Sequence, residues 1–207
     1  MLALAKKPQD TEKTVQEITL RVFDYPHANR ALLLAAEGEA TRILADAGVK
    51  ARWVDCPTSR DDWDNYPQCQ SAWQGHGFSL RVMPKAMLGM LGTWQDSLGF
   101  ASDCDMGPYC WAAVFYNRVM SLAGGAQAAA PALLGRVMAH EIGHLLLGEN
   151  SHSPTGIMRA NWSAREFRWD ACSELLFTAE QSRRMKSRLA AQALTGRTAA
   201  KVAELGR

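Results

Sequence analysis

The chain has 207 residues, of which 47% are hydrophobic and 21% charged, and its formal net charge is +2. This length is enough for one domain with a substantial core, and we expect a single compact unit that acts as a monomer. Acidic and basic residues are interspersed without a basic block, so neither a nucleic acid nor an anionic membrane is an expected partner. No apolar run has the length of a membrane span.

The cysteines and the start of the chain point to different compartments. Two locally spaced pairs, Cys56 with Cys69 and Cys104 with Cys110, are typical of an oxidising environment, whereas Cys172 is left over. We expect the disulfides Cys56–Cys69 and Cys104–Cys110, with Cys172 free. The first residues show no recognisable export signal. A secreted or periplasmic protein is the expectation, and a cytoplasmic protein with reduced cysteines is the alternative.

A strand followed by a helix is predicted near the start of the chain. Ile18–Tyr25 alternates apolar and polar residues, which is the period of a half-buried strand. Asn29 can cap a helix over Ala31–Ala47, where apolar residues recur at helical spacing, and Gly48 can end it in a left-handed conformation.

Further strands are predicted in the middle of the chain, from short runs of residues that favour strands. Val49–Val54, Phe78–Met83 and Trp111–Val119 have this character, and Gly99–Ala101 can form a short edge strand. We expect the residues between the second and third strands, Cys56–Gly77, to form a loop without a helix. That absence disfavours a uniformly wound parallel sheet, so a mixed sheet is predicted.

The last third predicts two helices separated by an irregular segment. Pro131 opens a helix to about Leu147, the loop Glu149–Trp162 follows, and a capping box at Thr178-Ala-Glu-Gln181 begins a helix from Ala179 to about Leu194. We therefore predict an α+β fold. Its parts are an extension (1–17), an N-terminal subdomain with the sheet (18–148), a C-terminal subdomain (149–194) and a frayed tail (195–207).

The predicted helix from Pro131 carries the run His140-Glu-Ile-Gly-His144. Four residues turn an α-helix by about 400° and rise about 6 Å, so His140 and His144 project from one face and can reach one ion. Glu141 lies beside them, where a carboxylate can take a proton from metal-activated water. We expect the apolar residues of this helix to face the strands and both histidines to face solvent.

The motif and the residues after it resemble the metzincin metallopeptidases, whose pattern is HExxHxxGxxH followed by a turn containing methionine. Here Gly148 comes one residue late and His152 two residues late, while Asn150 stands where the family has its third histidine. Gly156-Ile157-Met158 is the counterpart of the methionine turn. The resemblance implies a mixed twisted sheet with a backing helix, an active-site helix and a small C-terminal part ending in a helix.

The sequence alone leaves several candidates for the third metal ligand. His152 is favoured because imidazole binds zinc much better than a carboxamide does, and two extra residues in an exposed turn cost little. Asn150 is the weaker choice, and Glu166 or Glu174 would be ligands if the site followed the other large HExxH class. Met158 is expected to form an apolar floor beneath the ligands.

Together these residues predict a zinc metallopeptidase with one catalytic zinc ion bound by His140, His144 and His152 and with Glu141 as general base. Small bacterial proteins described as zinc proteases share the run His-Glu-Ile-Gly-His-Leu-Leu-Leu-Gly with Asn-Ser-His-Ser and Gly-Ile-Met. That resemblance implies export but names no substrate. A peptide or protein substrate is what the predicted peptidase chemistry implies. The alternative is a zinc-binding module without turnover, which would not require Glu141.

Overall fold

The computed structural model describes residues 16–70, 77–90, 97–102, 110–124, 128–148, 150–162 and 175–205, without the side chains of 88–90 and 195–205. Within these ranges the chain forms a five-stranded mixed sheet with its long helices packed on one face. The strands are β1 (Gln16–Asp24), β2 (Val49–Cys56), β3 (Gly77–Met83), β4 (Gly99–Ala101) and β5 (Trp111–Phe115).

The α-helices are α1 (Arg30–Asp46), α2 (Pro67–Gln70), α3 (Tyr116–Leu122), α4 (Ala130–Leu147) and α5 (Ala179–Leu205). Two short 3-10 segments, Trp63–Asn65 and Lys85–Met90, lie in the connections. None of the helices in the described ranges combines the length and the apolar character needed to cross a membrane.

The strands lie in the order β2-β1-β3-β5-β4. Strands β2, β1, β3 and β5 are mutually parallel, and β4 is antiparallel to β5 at the edge. The prediction of a mixed sheet is therefore confirmed, including the short edge strand at Gly99–Ala101. α1 makes the crossover between the parallel strands β1 and β2, as such a connection requires.

The core lies between the sheet and the helices α1 and α4. Alternate residues of β1, namely Ile18, Leu20 and Val22, are fully buried there, as the period of the strand predicts. The side chain of Asn29 accepts hydrogen bonds from the backbone N–H groups of Ala31 and Leu32, which confirms the predicted cap of α1. Such a cap satisfies donors that the first helical turn leaves without a partner.

Helices α1 and α4 approach each other closely at Gly135. A Cβ atom at this position would lie 2.4 Å from the backbone oxygen of Ala36 and 2.7 Å from Cβ of Glu39. Glu39 also lies 3.7 Å from Nε of Arg136, which is only 1% exposed. Because no side chain separates the two helices at Gly135, α4 can sit deep in the molecule.

Three predicted elements differ from the structure. The predicted strand Trp111–Val119 ends at Phe115, and the chain continues as α3. Phe115 is paired with Met83, the last residue of β3, so β5 loses its partner on that side and the next residues satisfy their backbone groups as a helix. The predicted loop between β2 and β3 contains the one-turn helix α2, and α5 extends past its predicted end at Leu194.

The predicted disulfide Cys56–Cys69 is present and connects the end of β2 to α2. Cys110 is also disulfide-bonded, but its predicted partner Cys104 lies outside the described residues, as does Cys172. The first bridge closes a segment with few buried apolar residues, which is where a covalent link is most useful.

Candidate metal centre

His140, Glu141 and His144 lie in the second half of α4, a helix that is buried on nearly every side. The predicted apolar face, with Leu134, Met138, Ile142 and Leu145, packs into the core. The expectation that both histidines face solvent is wrong for His140, which is only 9% exposed, whereas His144 is half-buried. The side of α4 opposite the apolar face is covered by the residues that follow the helix. The site therefore lies inside the domain and near its surface.

The two histidines of α4 direct their Nε2 atoms at a common point. These atoms are 3.1 Å apart. Nδ1 of His140 lies 2.7 Å from the carbonyl oxygen of Ile157, which can only accept a hydrogen bond, so Nδ1 carries the proton and Nε2 presents its lone pair. Nδ1 of His144 lies 2.8 Å from Oγ of Ser151. Hydrogen bonds of this kind are what orient histidine ligands in metal sites.

Burial keeps both imidazoles neutral at ordinary pH. Desolvation lowers the pKa of His140 to about 4, against the opposing effect of its hydrogen bond to Ile157. Desolvation, and then the neighbouring His140 and His152, lower the pKa of His144 to about 3. A histidine must be neutral to bind a metal ion, and these two are neutral over the whole physiological range.

The chain leaves α4 through a turn that returns His152 to the other two histidines. Gly148, with a φ of 80°, ends the helix, and Asn150 has a φ of 53°, which asparagine tolerates better than most residues. One nitrogen from each of His140, His144 and His152 lies within 4.8 Å of the others. Asn150 is exposed and forms the turn itself, while the alternative ligands Glu166 and Glu174 lie outside the described residues.

The donor set, and the spacing of the two nitrogens from α4, fit a zinc ion. Two nitrogens bound to one zinc at about 2.0–2.1 Å with a tetrahedral angle are about 3.3–3.4 Å apart, close to the distance between the Nε2 atoms of His140 and His144. Three imidazoles with one position left for water form a common catalytic zinc site. The three histidines that the sequence singles out are thus brought together in space.

Met158 is fully buried, and its side chain packs against α4 at Gly143. A Cβ atom at Gly143 would lie 2.5 Å from Sδ of Met158 and 2.8 Å from Cε1 of Phe177. Gly143 therefore admits both side chains to the lower surface of the helix. That Met158 forms an apolar floor beneath the metal ligands stays a prediction.

Glu141 is 5% exposed and lies between α4 and the edge strand β4. Burial raises the pKa of its carboxyl group to about 8. A divalent cation beside the carboxyl group would act in the opposite direction, because it favours the charged form. The environment thus makes this carboxyl group a much stronger base than an exposed glutamate.

Within the described residues β4 is the outermost strand on its side of the sheet, and its residue Gly99 lies against Glu141. Backbone hydrogen bonds join the oxygen of Leu98 to β5 and the N–H of Ser102 to β5. Because alternate residues of an antiparallel strand bond to the same neighbour, the backbone groups of Gly99 and Ala101 face away from β5. In the described part of the sheet, Gly99 and Ala101 therefore have backbone N–H and C=O groups that no neighbouring strand binds.

Comparison with protein-family models and with curated proteins gives no match. Among solved structures, metalloproteinase-II from Bacteroides fragilis superposes with a TM-score of 0.50 at 14% identity, over 84% of this chain and 54% of that one. Archaemetzincin from Methanopyrus kandleri gives a TM-score of 0.49 at 13% identity, over 84% of this chain and 96% of that one. The likeness to the Bacteroides protein concerns the fold, and this chain spans about half of its length.

Several residues of the site are not indicated by the sequence. Nε1 of Trp162 donates to the carbonyl oxygen of Ile157, the same atom that accepts from His140, and the rings of Trp162 and His140 are 5.6 Å apart. Ser151 is 6% exposed and holds His144. The proximity of Ser151 to His152 in the chain was a usable signal, whereas no sequence pattern points to Trp162 or to the carbonyl of Ile157.

Proposed function

We propose that this protein is a zinc-dependent peptidase of the metzincin type, with one zinc ion held by His140, His144 and His152. One observation carries the proposal: three imidazole nitrogens lie within 4.8 Å of one another, and the buried Glu141 follows His140 directly in the chain. A structural zinc site would be closed by a fourth protein ligand and would have no use for that carboxyl group. The fold shared with a bacterial metalloproteinase is in keeping with the proposal.

Glu141 is the general base in this proposal. A bound zinc ion would polarise the scissile carbonyl and make the attacking water more acidic. Glu141 accepts the proton from that water, holds it in a site that excludes bulk solvent and delivers it to the amine that leaves. His140 and His144 remain neutral throughout, since burial holds their pKa values to about 4 and about 3.

The proposed substrate is a peptide or protein bound in an extended conformation along β4. The backbone groups of Gly99 and Ala101 can pair with the substrate, and such pairing does not depend on substrate sequence. Gly99 lies directly against Glu141, so a peptide bonded at this strand would pass in front of the carboxyl group. The cleft would run between the proposed subdomains 18–148 and 149–194.

An extracytoplasmic site of action, secreted or periplasmic, belongs to the same proposal. The disulfides formed by Cys56 with Cys69 and by Cys110 support it, because such bonds persist in oxidising compartments. Fractionation of the native host, with thiol counting on the recovered protein, tests this part. Recovery from the cytoplasm with all five thiols free would contradict it.

The substitution Glu141→Gln tests the proposed chemistry, and His152→Ala tests the proposed third ligand. We expect Glu141→Gln to retain one equivalent of zinc by elemental analysis and to lose about 100-fold or more of its turnover of a mixed peptide library. His152→Ala should weaken zinc binding. Wild-type protein without stoichiometric metal, or a Glu141→Gln variant with undiminished cleavage, would overturn the proposal; zinc binding without any cleavage by the wild type would favour the non-catalytic module.

A further inference from the structure

The three histidines of the candidate metal centre are not held in the same way. The rings of His140 and His144 each have Nδ1 fixed by a hydrogen bond, to Ile157 and to Ser151. The ring of His152 is exposed, and the contacts recorded for it in the described part of the chain are with the other two rings, at centroid distances of 5.5 Å and 4.7 Å. The position of His152 must therefore be set through its backbone.

The residue after His152 is fixed by three hydrogen bonds. The N–H of Ser153 donates to the carbonyl oxygen of Met158 at 2.9 Å, and Oγ of Ser153 donates to the carbonyl oxygen of Thr155 at 2.8 Å. The same Oγ accepts a hydrogen bond of 2.9 Å from Nε2 of Gln181. Ser153 thereby joins the loop of the third histidine both to the methionine turn and to the first turn of α5.

Gln181 is a firm support for this link. It is 8% exposed. Its side-chain Oε1 accepts a hydrogen bond from the backbone N–H of Thr178, and its backbone N–H donates to Oγ1 of Thr178. This is the predicted capping box, so one side-chain amide both caps α5 and reaches the loop. Four and eight residues further along α5, Met185 and Leu189 are fully buried and attach the helix to the core.

We propose that Ser153 and Gln181 are positioning residues for His152: the side-chain amide of Gln181, at the start of α5, fixes the third histidine of the metal centre through its hydrogen bond to Ser153. The inference rests on the proposed function, in which His152 is a ligand. An exposed loop residue loses conformational freedom when it binds a metal ion, and bonds that restrict the loop beforehand reduce that loss. Removal of the link weakens metal binding although neither side chain touches the metal.

The substitution Ser153→Ala tests the link because it leaves the capping box intact. Groups hydrogen-bonded directly to a metal ligand contribute about 10- to 100-fold in metal affinity. Ser153 acts one residue away from the ligand, so we expect the zinc Kd of Ser153→Ala, measured by chelator competition, to rise by about 10-fold, the lower end of that range. Thr178→Ala is the matched control: it weakens the cap of α5 and keeps the bond between Gln181 and Ser153. This control should lower the melting temperature and leave the zinc Kd within about 3-fold of wild type.

A second comparison separates positioning from general destabilisation. In a His152→Ala background, Ser153→Ala should cause no further rise in the zinc Kd, because the histidine through which it acts is gone. Ser153→Thr, which retains a hydroxyl group, should bind zinc nearly as well as wild type. The d–d absorption of the cobalt-substituted protein should change in Ser153→Ala and not in Thr178→Ala.

Three results would overturn the inference: an unchanged Kd in Ser153→Ala, equal effects of Ser153→Ala and Thr178→Ala, or a further loss in the His152→Ala background. A different result would instead overturn the ligand assignment on which the inference rests. That result is a wild-type zinc Kd in His152→Ala itself.

Discussion

The backbone of Gly99 lies directly against the carboxyl group of Glu141. A Cβ atom at position 99 would be 2.7 Å from Oε1 and 2.8 Å from Cγ of Glu141, and 2.4 Å from the carbonyl oxygen of Ala113. The edge strand and the helix of the metal centre thus touch at a point where only glycine fits. This contact connects the strand proposed to bind substrate with the group proposed to transfer the proton.

The substitution Gly99→Ala should therefore impair turnover without removing the metal. The added methyl group must displace either Glu141 or β4, and a displacement of about 1 Å near reacting groups can cost about 100-fold in rate. Kinetics on a peptide substrate, together with zinc content, measure both effects. Normal turnover in Gly99→Ala would show that the contact does not matter for catalysis.

A methyl group added at Gly38 should have the opposite effect on the molecule. Gly38 is exposed within α1, and a Cβ atom there would meet no atom within 4 Å. Gly38→Ala should stabilise the protein by about 0.5–1 kcal/mol, because alanine restricts the unfolded chain and favours the helix. Urea unfolding measures this gain, and Gly38→Ala also serves as the control for Gly99→Ala, since its turnover should stay at the wild-type value.

Glu37 should make stability depend on pH. The side chain is 6% exposed, and burial, with the nearby Asp55, raises its pKa to about 7. The folded protein therefore retains a proton that the unfolded chain releases near its ordinary pKa. The contribution to stability is fully present below about pH 4.5 and is lost as the pH rises through about 7.

The substitution Glu37→Gln removes this loss because glutamine carries no charge at any pH. It should raise the free energy of unfolding at pH 8 by roughly 1–2 kcal/mol after allowance for solvent screening, with a much smaller gain at pH 5. Urea unfolding at the two pH values measures the difference. An equal gain at both would show that shape, and not charge, explains the effect.

The ion pairs of Glu39 should differ in strength. Glu39 faces the buried Arg136 between α1 and α4, and on its other side it binds the half-exposed Arg42 at 2.8 Å. Glu39→Gln withdraws the negative charge from a buried guanidinium group and should cost about 1–3 kcal/mol of unfolding free energy. Arg42→Ala, which removes only the exposed pair, should cost less than about 1 kcal/mol. Equal losses would contradict this distinction.

Local patterns in the sequence predicted much of the fold, because strand period and helix caps are determined by neighbouring residues. β1 at Gln16–Asp24, the cap at Asn29 and the capping box at Thr178 are of this kind. The end of β5 was not predictable in this way. It depends on where β3, which is distant in the sequence, stops offering a partner.

The features of the candidate site likewise divide into those that neighbouring residues determine and those that depend on residues distant in the sequence. Helical spacing was sufficient to predict that His140 and His144 point to one place, and composition drew attention to His152. The burial of His140 was missed, although α4 is apolar around most of its circumference and such a helix is usually enclosed. The hydrogen bond from Gln181 to Ser153 joins residues that are far apart in sequence, so the capping box revealed only half of what that amide does.

The unequal support of the three histidines has a consequence for exchange kinetics. His140 and His144 belong to a helix enclosed by the core, whereas Asn150 and His152 lie exposed in the turn that follows it. We therefore expect the backbone of α4 to open only with the whole domain, and the turn to open in smaller local events that the hydrogen bonds of Ser153 restrict. We expect amide hydrogens of α4 to exchange with deuterium far more slowly than those of 150–156. An ion held by all three imidazoles would then leave by way of the turn, at a rate set by local opening rather than by the stability of the domain.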